Sequence, residues 1–169
     1  KSEYANEQIA IRNRPTFLSP YIDKLKNFLM PAASAYIGGV SYSGNKNLSF
    51  KSGSIYNQLA NYESSAPVLA QALENAPMSM LVTELSRKKG TSYGVSNSLH
   101  HVGKAADIAV AGLSEEEIQK RIDYLNSFSG LHAVKHLKGQ FGATGTHIHV
   151  SDLHDYTKGD IMPNDISYS

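Results

Sequence analysis

Ser114 and Glu117 stand three residues apart at the head of an apolar-periodic stretch, a capping box and the clearest start signal in the chain. Leu113 and Ile118 add a hydrophobic staple, Ile118, Ile122 and Leu125 supply a buried stripe, and Ser129-Gly130 ends the helix. Strand-length segments flank it. Residues 78–85 and 104–111 come before, and 131–137 and 146–151 come after, the last two joined by a glycine-bearing loop at 138–145. Upstream, Ile22, Leu25, Phe28 and Leu29 share one helical face until Pro31. Residues 38–54 read as a long loop or a weak hairpin. Ile55, Leu59 and Tyr62 are spaced for a further helix, and Ser65 stands where it can cap another, with Pro67 in its first turn and Leu69 and Leu73 facing inward. This order predicts an α+β fold: a small, mostly antiparallel sheet with helices packed on one side. Length suits one domain, divided as an N-terminal arm and helix (1–54), a core (55–153) and a C-terminal tail (154–169).

Cysteine is absent, so disulfides, iron–sulfur clusters and thiolate metal sites are excluded, and any metal must be held by histidine and carboxylate. A net charge of +1 with no long basic run argues against a nucleic-acid partner. No apolar stretch approaches the ~20 residues of a membrane span. The opening Lys1-Ser2-Glu3-Tyr4 has no apolar leader core and reads as the start of a mature or trimmed chain.

Seven histidines remain to be sorted: His100, His101, His132, His136, His147, His149 and His154. His147 and His149, two apart on a strand, point to the same face. His100 ends a polar loop, and Asp107 follows on the next strand; a loop of that length can bring the imidazole and the carboxylate to one point. A neighbouring strand carrying His149 can add a third donor. Two neutral imidazoles and a carboxylate suit Zn2+, and three protein ligands leave the fourth position open to water, as in catalytic sites. His132 and His136 share a face and read as structural or at most pocket-lining, and His101 and His154 as bystanders.

The run Ser98-Leu-His100-His-Val-Gly103-Lys-Ala105-Ala-Asp107 resembles the Ser-x-His-x-x-Gly-x-Ala-x-Asp signature of the D-alanyl-D-alanine metallopeptidase family. That family includes zinc carboxypeptidases and L-alanyl-D-glutamate endolysins, and is related to lysostaphin-type peptidases and the hedgehog signalling domain. All five fixed positions match, a coincidence expected on the order of once in ten thousand sequences from ordinary residue usage. Thr146-His147-Ile148-His149-Val150 resembles the family's closing strand, whose last histidine completes the metal site. Val82-Thr83-Glu84-Leu85-Ser86-Arg87 stands where the family has a strand ending in arginine. The resemblance covers roughly residues 78–151.

The resemblance implies a zinc-dependent peptidase that cuts peptidoglycan stem or cross-link peptides with metal-activated water, as a D,D-carboxypeptidase or an endopeptidase. It implies His100, Asp107 and His149 as metal ligands, and Arg87 as a substrate-binding or oxyanion-stabilising residue. Ser98 shapes the loop or meets a substrate carboxylate. The implied setting is the cell wall, reached from the periplasm, by secretion or by phage delivery. Many members carry a carboxylate three residues before the last ligand as general base, and Thr146 stands there in this chain. His147 fits a variant in which a histidine two before the ligand takes the base or transition-state role, with Glu84 and Asp152 as substitutes. The same departure admits an alternative, a non-catalytic zinc-binding structural or virion module that keeps the peptidase fold.

Overall fold

A computed structural model describes residues 40–42, 44–89 and 98–156; the expected helix before Pro31, residues 90–97 of the polar loop and the end of the tail lie outside the described residues. The segment left open as loop or hairpin is a hairpin. Strands β1 (Val40–Tyr42) and β2 (Asn45–Phe50) pair antiparallel, and β2 then runs parallel to β3 (Met80–Glu84). The sheet therefore crosses the boundary expected at residue 54, and among the described residues a hairpin precedes the helices.

Beyond β3 lie β4 (Ala105–Ala109), β5 (Leu131–His136) and β6 (His147–Asp152). The six strands are ordered β1-β2-β3-β4-β6-β5, and every pair except β2–β3 is antiparallel. The chain is thus α+β with a mixed sheet. Strand β6, the last of these in sequence, enters between β4 and β5.

The single helix expected around Ile55, Leu59 and Tyr62 is two short ones, α1 (Gly53–Tyr56) and α2 (Leu59–Ser65). Helix α3 (Pro67–Glu74) follows directly, and its N-cap is Ala66, which has no side chain able to cap. Ser65 is instead the last residue of α2, where its hydroxyl donates to the Gly103 carbonyl (2.8 Å). The capping of α3 comes from a distant strand: Asp152 Oδ2 accepts the Leu69 N–H at 3.1 Å. Helix α4 (Glu115–Asn126) has the expected capping box, with both reciprocal hydrogen bonds present.

Period 2 along β4 and β6 divides the sheet into two faces. Ala106, Ile108, Ile148 and Val150 are fully buried on one face. Helices α3 and α4 close over that face, joined by the Tyr124 hydroxyl donating to the Ala72 carbonyl (2.9 Å). Leu48, Phe50, Leu69, Leu73 and Leu125 are also fully buried, and each such side chain stabilises the fold by about 1.5–3 kcal/mol relative to exposure. Asp107, His147 and His149 fall on the other face. No helix among the described residues is long and apolar enough to cross a membrane.

Candidate metal centre

His100 sits in a 3-10 turn, Leu99–Val102, whose shape is set locally. The Ser98 hydroxyl accepts the His100 N–H (3.3 Å), and Gly103, at φ 69°, closes the turn in the left-handed region. A side chain at Gly103 would also press on Ser65, since an added Cβ would lie 3.1 Å from its hydroxyl oxygen. The turn is fastened to the end of β3 twice: Arg87 N–H donates to the His100 carbonyl (3.0 Å), and His100 Nδ1–H donates to the Leu85 carbonyl. A carbonyl only accepts, so Nδ1 must carry the hydrogen and Nε2 is the atom left for the site. That Nε2 lies 3.1 Å from Asp107 Oδ1.

Asp107 and His149 are directly opposite on β4 and β6. His149 Nδ1 lies 2.9 Å from Asp107 Oδ1, and its Nε2 meets the buried Ser151 hydroxyl at 3.0 Å. Both histidines are buried, at 1% and 2% exposure, and each turns a nitrogen to the carboxylate. Each presents one nitrogen to Asp107 and anchors the other on a fixed oxygen. These three side chains form a group able to hold a metal ion, their donor atoms lying within 4.8 Å of one another.

Electrostatics supports a cation here. Burial alone would raise the Asp107 pKa, but the His100 charge, followed by hydrogen bonds from His100 and His149, holds the carboxyl well below its usual range. Burial likewise works to lower the His100 pKa, and the Asp107 charge and hydrogen bond outweigh it, so the net shift is upward. A pocket that stabilises a proton on His100 in this way stabilises a metal cation for the same reason.

Among the described residues two other groups have metal-like spacing, and geometry separates them from the first. His136, His147 and His149 lie within 4.8 Å, but the His136 and His149 rings are stacked at an 8° interplanar angle with centroids 4.8 Å apart. A metal must lie in the plane of each ligating ring, which two stacked rings cannot both satisfy for one ion. The His100 and His149 planes cross at 59°, which permits convergence. Asp152, His154 and Asp155 form the third group, but their oxygens are already engaged. Asp152 binds the Leu69 N–H and pairs with His154, and Asp155 pairs with Lys104. Asp152 therefore lies on the helix-covered face and does not serve as the substitute proton carrier weighed for it.

The remaining expected residues gather around the centre. His147 donates Nδ1–H to the Gly145 carbonyl (2.8 Å) and turns Nε2 toward Asp107 Oδ1 at 3.4 Å. Arg87 Nη2 donates to the Ser98 hydroxyl (3.1 Å), and Nη1 lies 3.4 Å from Glu84 Oε2. Glu84 is opposite Asp107 in the β3–β4 register, and its pKa is raised, first by burial, with the nearby cations opposing and Asp107 adding to the rise. Thr146 contributes no acid or base; its hydroxyl accepts the Lys138 N–H (3.2 Å).

These groups line a cleft of about 570 Å³ that includes Glu84, Arg87, His100, Asp107, His136, His147 and His149. Its other lining includes Ala109 and Val110 at the end of β4, and also Lys51, Ile55 and residues 140–145, where no functional residue was expected. The only sequence signal for that loop was the pair of glycines flanking Phe141. His136 was expected to be structural or at most pocket-lining, and it lines the cleft as the ring stacked on His149. Comparison of the chain with family models, with curated proteins and with solved structures returns no match.

Proposed function

We propose that this protein is a zinc-dependent peptidase acting on peptidoglycan stem or cross-link peptides, as a D,D-carboxypeptidase or an endopeptidase, at the cell wall. The observation that carries the reading is the convergence of His100 Nε2 and His149 Nδ1 on Asp107 Oδ1 at the floor of an open cleft. The donor set fits zinc: two imidazoles, that of His100 with its tautomer fixed by the Leu85 carbonyl, and one ionised carboxylate, with no sulfur. Bound there, the metal would supply a Lewis acid and an activated water for amide hydrolysis. The choice of peptidoglycan as substrate rests on the resemblance of residues 98–107 and 146–150.

The chain's own residues divide the rest of the work. The Arg87 guanidinium, held by Ser98 and Glu84, stabilises negative charge developing on the substrate carbonyl or anchors a substrate carboxylate. Ser98 orients that guanidinium and shapes the His100 turn. His147 Nε2 holds or passes the proton released during hydrolysis, and Glu84 is the carboxylate nearest to taking over the place that Thr146 leaves vacant.

The test is release of new amines from purified murein peptides. Hydrolysis should require zinc, stop on chelation and disappear in His149→Ala. Turnover that survives both treatments would sink the proposal. A second reading, a zinc-binding structural module without turnover, is favoured by one observation: the hydroxyl of Thr146 is committed to the Lys138 backbone. It predicts one bound zinc, chelator-sensitive stability and no amine release.

A further inference from the structure

Phe141 is the sole non-glycine with a positive φ among the described residues, at φ 50° and ψ 27°. Contact of Cβ with the neighbouring carbonyl disfavours that conformation for a bulky side chain. The loop nevertheless enforces it. Leu137 N–H donates to the Gln140 side-chain oxygen (2.7 Å), Gly139 N–H to the Ala143 carbonyl (2.9 Å), and Ala143 N–H to the Gln140 carbonyl (2.8 Å). Gly139 and Gly142 take φ of 91° and 76° on either side. Strain held this firmly is a feature of ligand-binding sites, where it fixes a side chain that an unstrained loop would turn away.

The strain here sets the Phe141 ring in the wall of the cleft, its centroid 4.8 Å from that of His136, which in turn stacks 4.8 Å from His149. Ile55, Ala109, Val110 and Ala143 line the same cleft. One residue of extended chain spans about 3.3–3.6 Å. A peptide whose carbonyl rests at the metal centre thus brings a side chain one or two residues away onto the Phe141 ring. We propose that Phe141 and its loop form an apolar subsite that selects peptides with an aliphatic side chain beside the bond held at the His100–Asp107–His149 centre. This inference rests on the metal-centre reading given under Proposed function.

The test measures binding rather than turnover, using zinc-treated protein, acetohydroxamate as a bare metal-binding probe and N-acetyl-leucine hydroxamate as the same probe with an aliphatic side chain. Wild type should bind the leucine compound roughly tenfold or more tighter, the discrimination an apolar pocket provides. Phe141→Ala removes the ring, and Phe141→Gly removes the ring while relieving the backbone, so the second variant folds even if the first is impaired. Both should lose most of the leucine preference and keep the acetohydroxamate affinity, which a ring serving only to brace His136 would not produce. A leucine preference that is absent in wild type, or that survives in both variants, overturns the subsite alone. No binding of either probe to zinc-treated wild type overturns the metal reading and the subsite with it.

Discussion

Asp107 and His149 face one another across the β4–β6 pairing, with carboxylate oxygen and Nδ1 2.9 Å apart, and the Ser151 hydroxyl holds the far side of the His149 ring. Strand register sets this relationship. A one-residue slip of β6 would turn His147, His149 and Ser151 onto the helix-covered face together.

Removing a converging donor should abolish metal binding. On the zinc reading, wild type should retain one equivalent of zinc after dialysis, and His100→Ala, Asp107→Asn and His149→Ala should each lose it, as measured by elemental analysis. Retention of a full equivalent in all three would show that the metal lies elsewhere.

Ser151→Ala tests the outer partner of His149. The fully buried hydroxyl fixes the ring without touching the metal position. Metal affinity should fall by about 10- to 100-fold, the usual consequence of losing such a partner. Chelator competition gives the affinity, and circular dichroism checks that the fold persists.

Acid should release the metal, because a proton and a cation compete for His100. Its pKa is raised, so competition begins above the ~6.5 of an ordinary imidazole, and affinity should drop about tenfold per pH unit once the proton is bound. For metal-stripped protein the sign reverses. A raised folded pKa contributes stability that is complete below the unfolded value of ~6.5 and is lost as pH rises through the folded value. Asp107, held low, contributes stability that is present above its unfolded value near ~3.9 and lost as pH falls toward its folded one. Urea unfolding of stripped protein should thus give a higher midpoint near pH ~6 than near pH ~9, and an unchanged midpoint would argue against this coupling.

Asp152→Ala should destabilise the fold without affecting the metal. It strands the buried Leu69 N–H at the start of α3, which costs about 1–3 kcal/mol, whereas Asp152→Asn keeps an acceptor and should cost less. Denaturant midpoints for the two variants, beside their zinc content, check both halves. Zinc loss in Asp152→Ala without unfolding would return this residue to the site.

The converging donors were legible because their signals are local or periodic. Ser98, His100, Gly103 and Asp107 lie within one turn and one strand, and the two-residue phase of β6 puts His147 and His149 on one face. The α4 capping box was legible for the same reason, since both its hydrogen bonds close within four residues. Tertiary structure alone decided where Glu84 and Asp152 belong. Both are acids at the end of a strand, and only the pairing of β3 with β4, and of β6 between β4 and β5, turns one toward the cleft and buries the other under α3. It also put Ser65 at the end of α2 and left the Leu69 N–H of α3 to a carboxylate more than eighty residues away. The anchors that orient the site, the Leu85 carbonyl behind His100 and the His136 ring behind His149, come from backbone and from a neighbouring strand. Such partners are set by which strands pair and in what register, and side-chain order along one strand does not encode that.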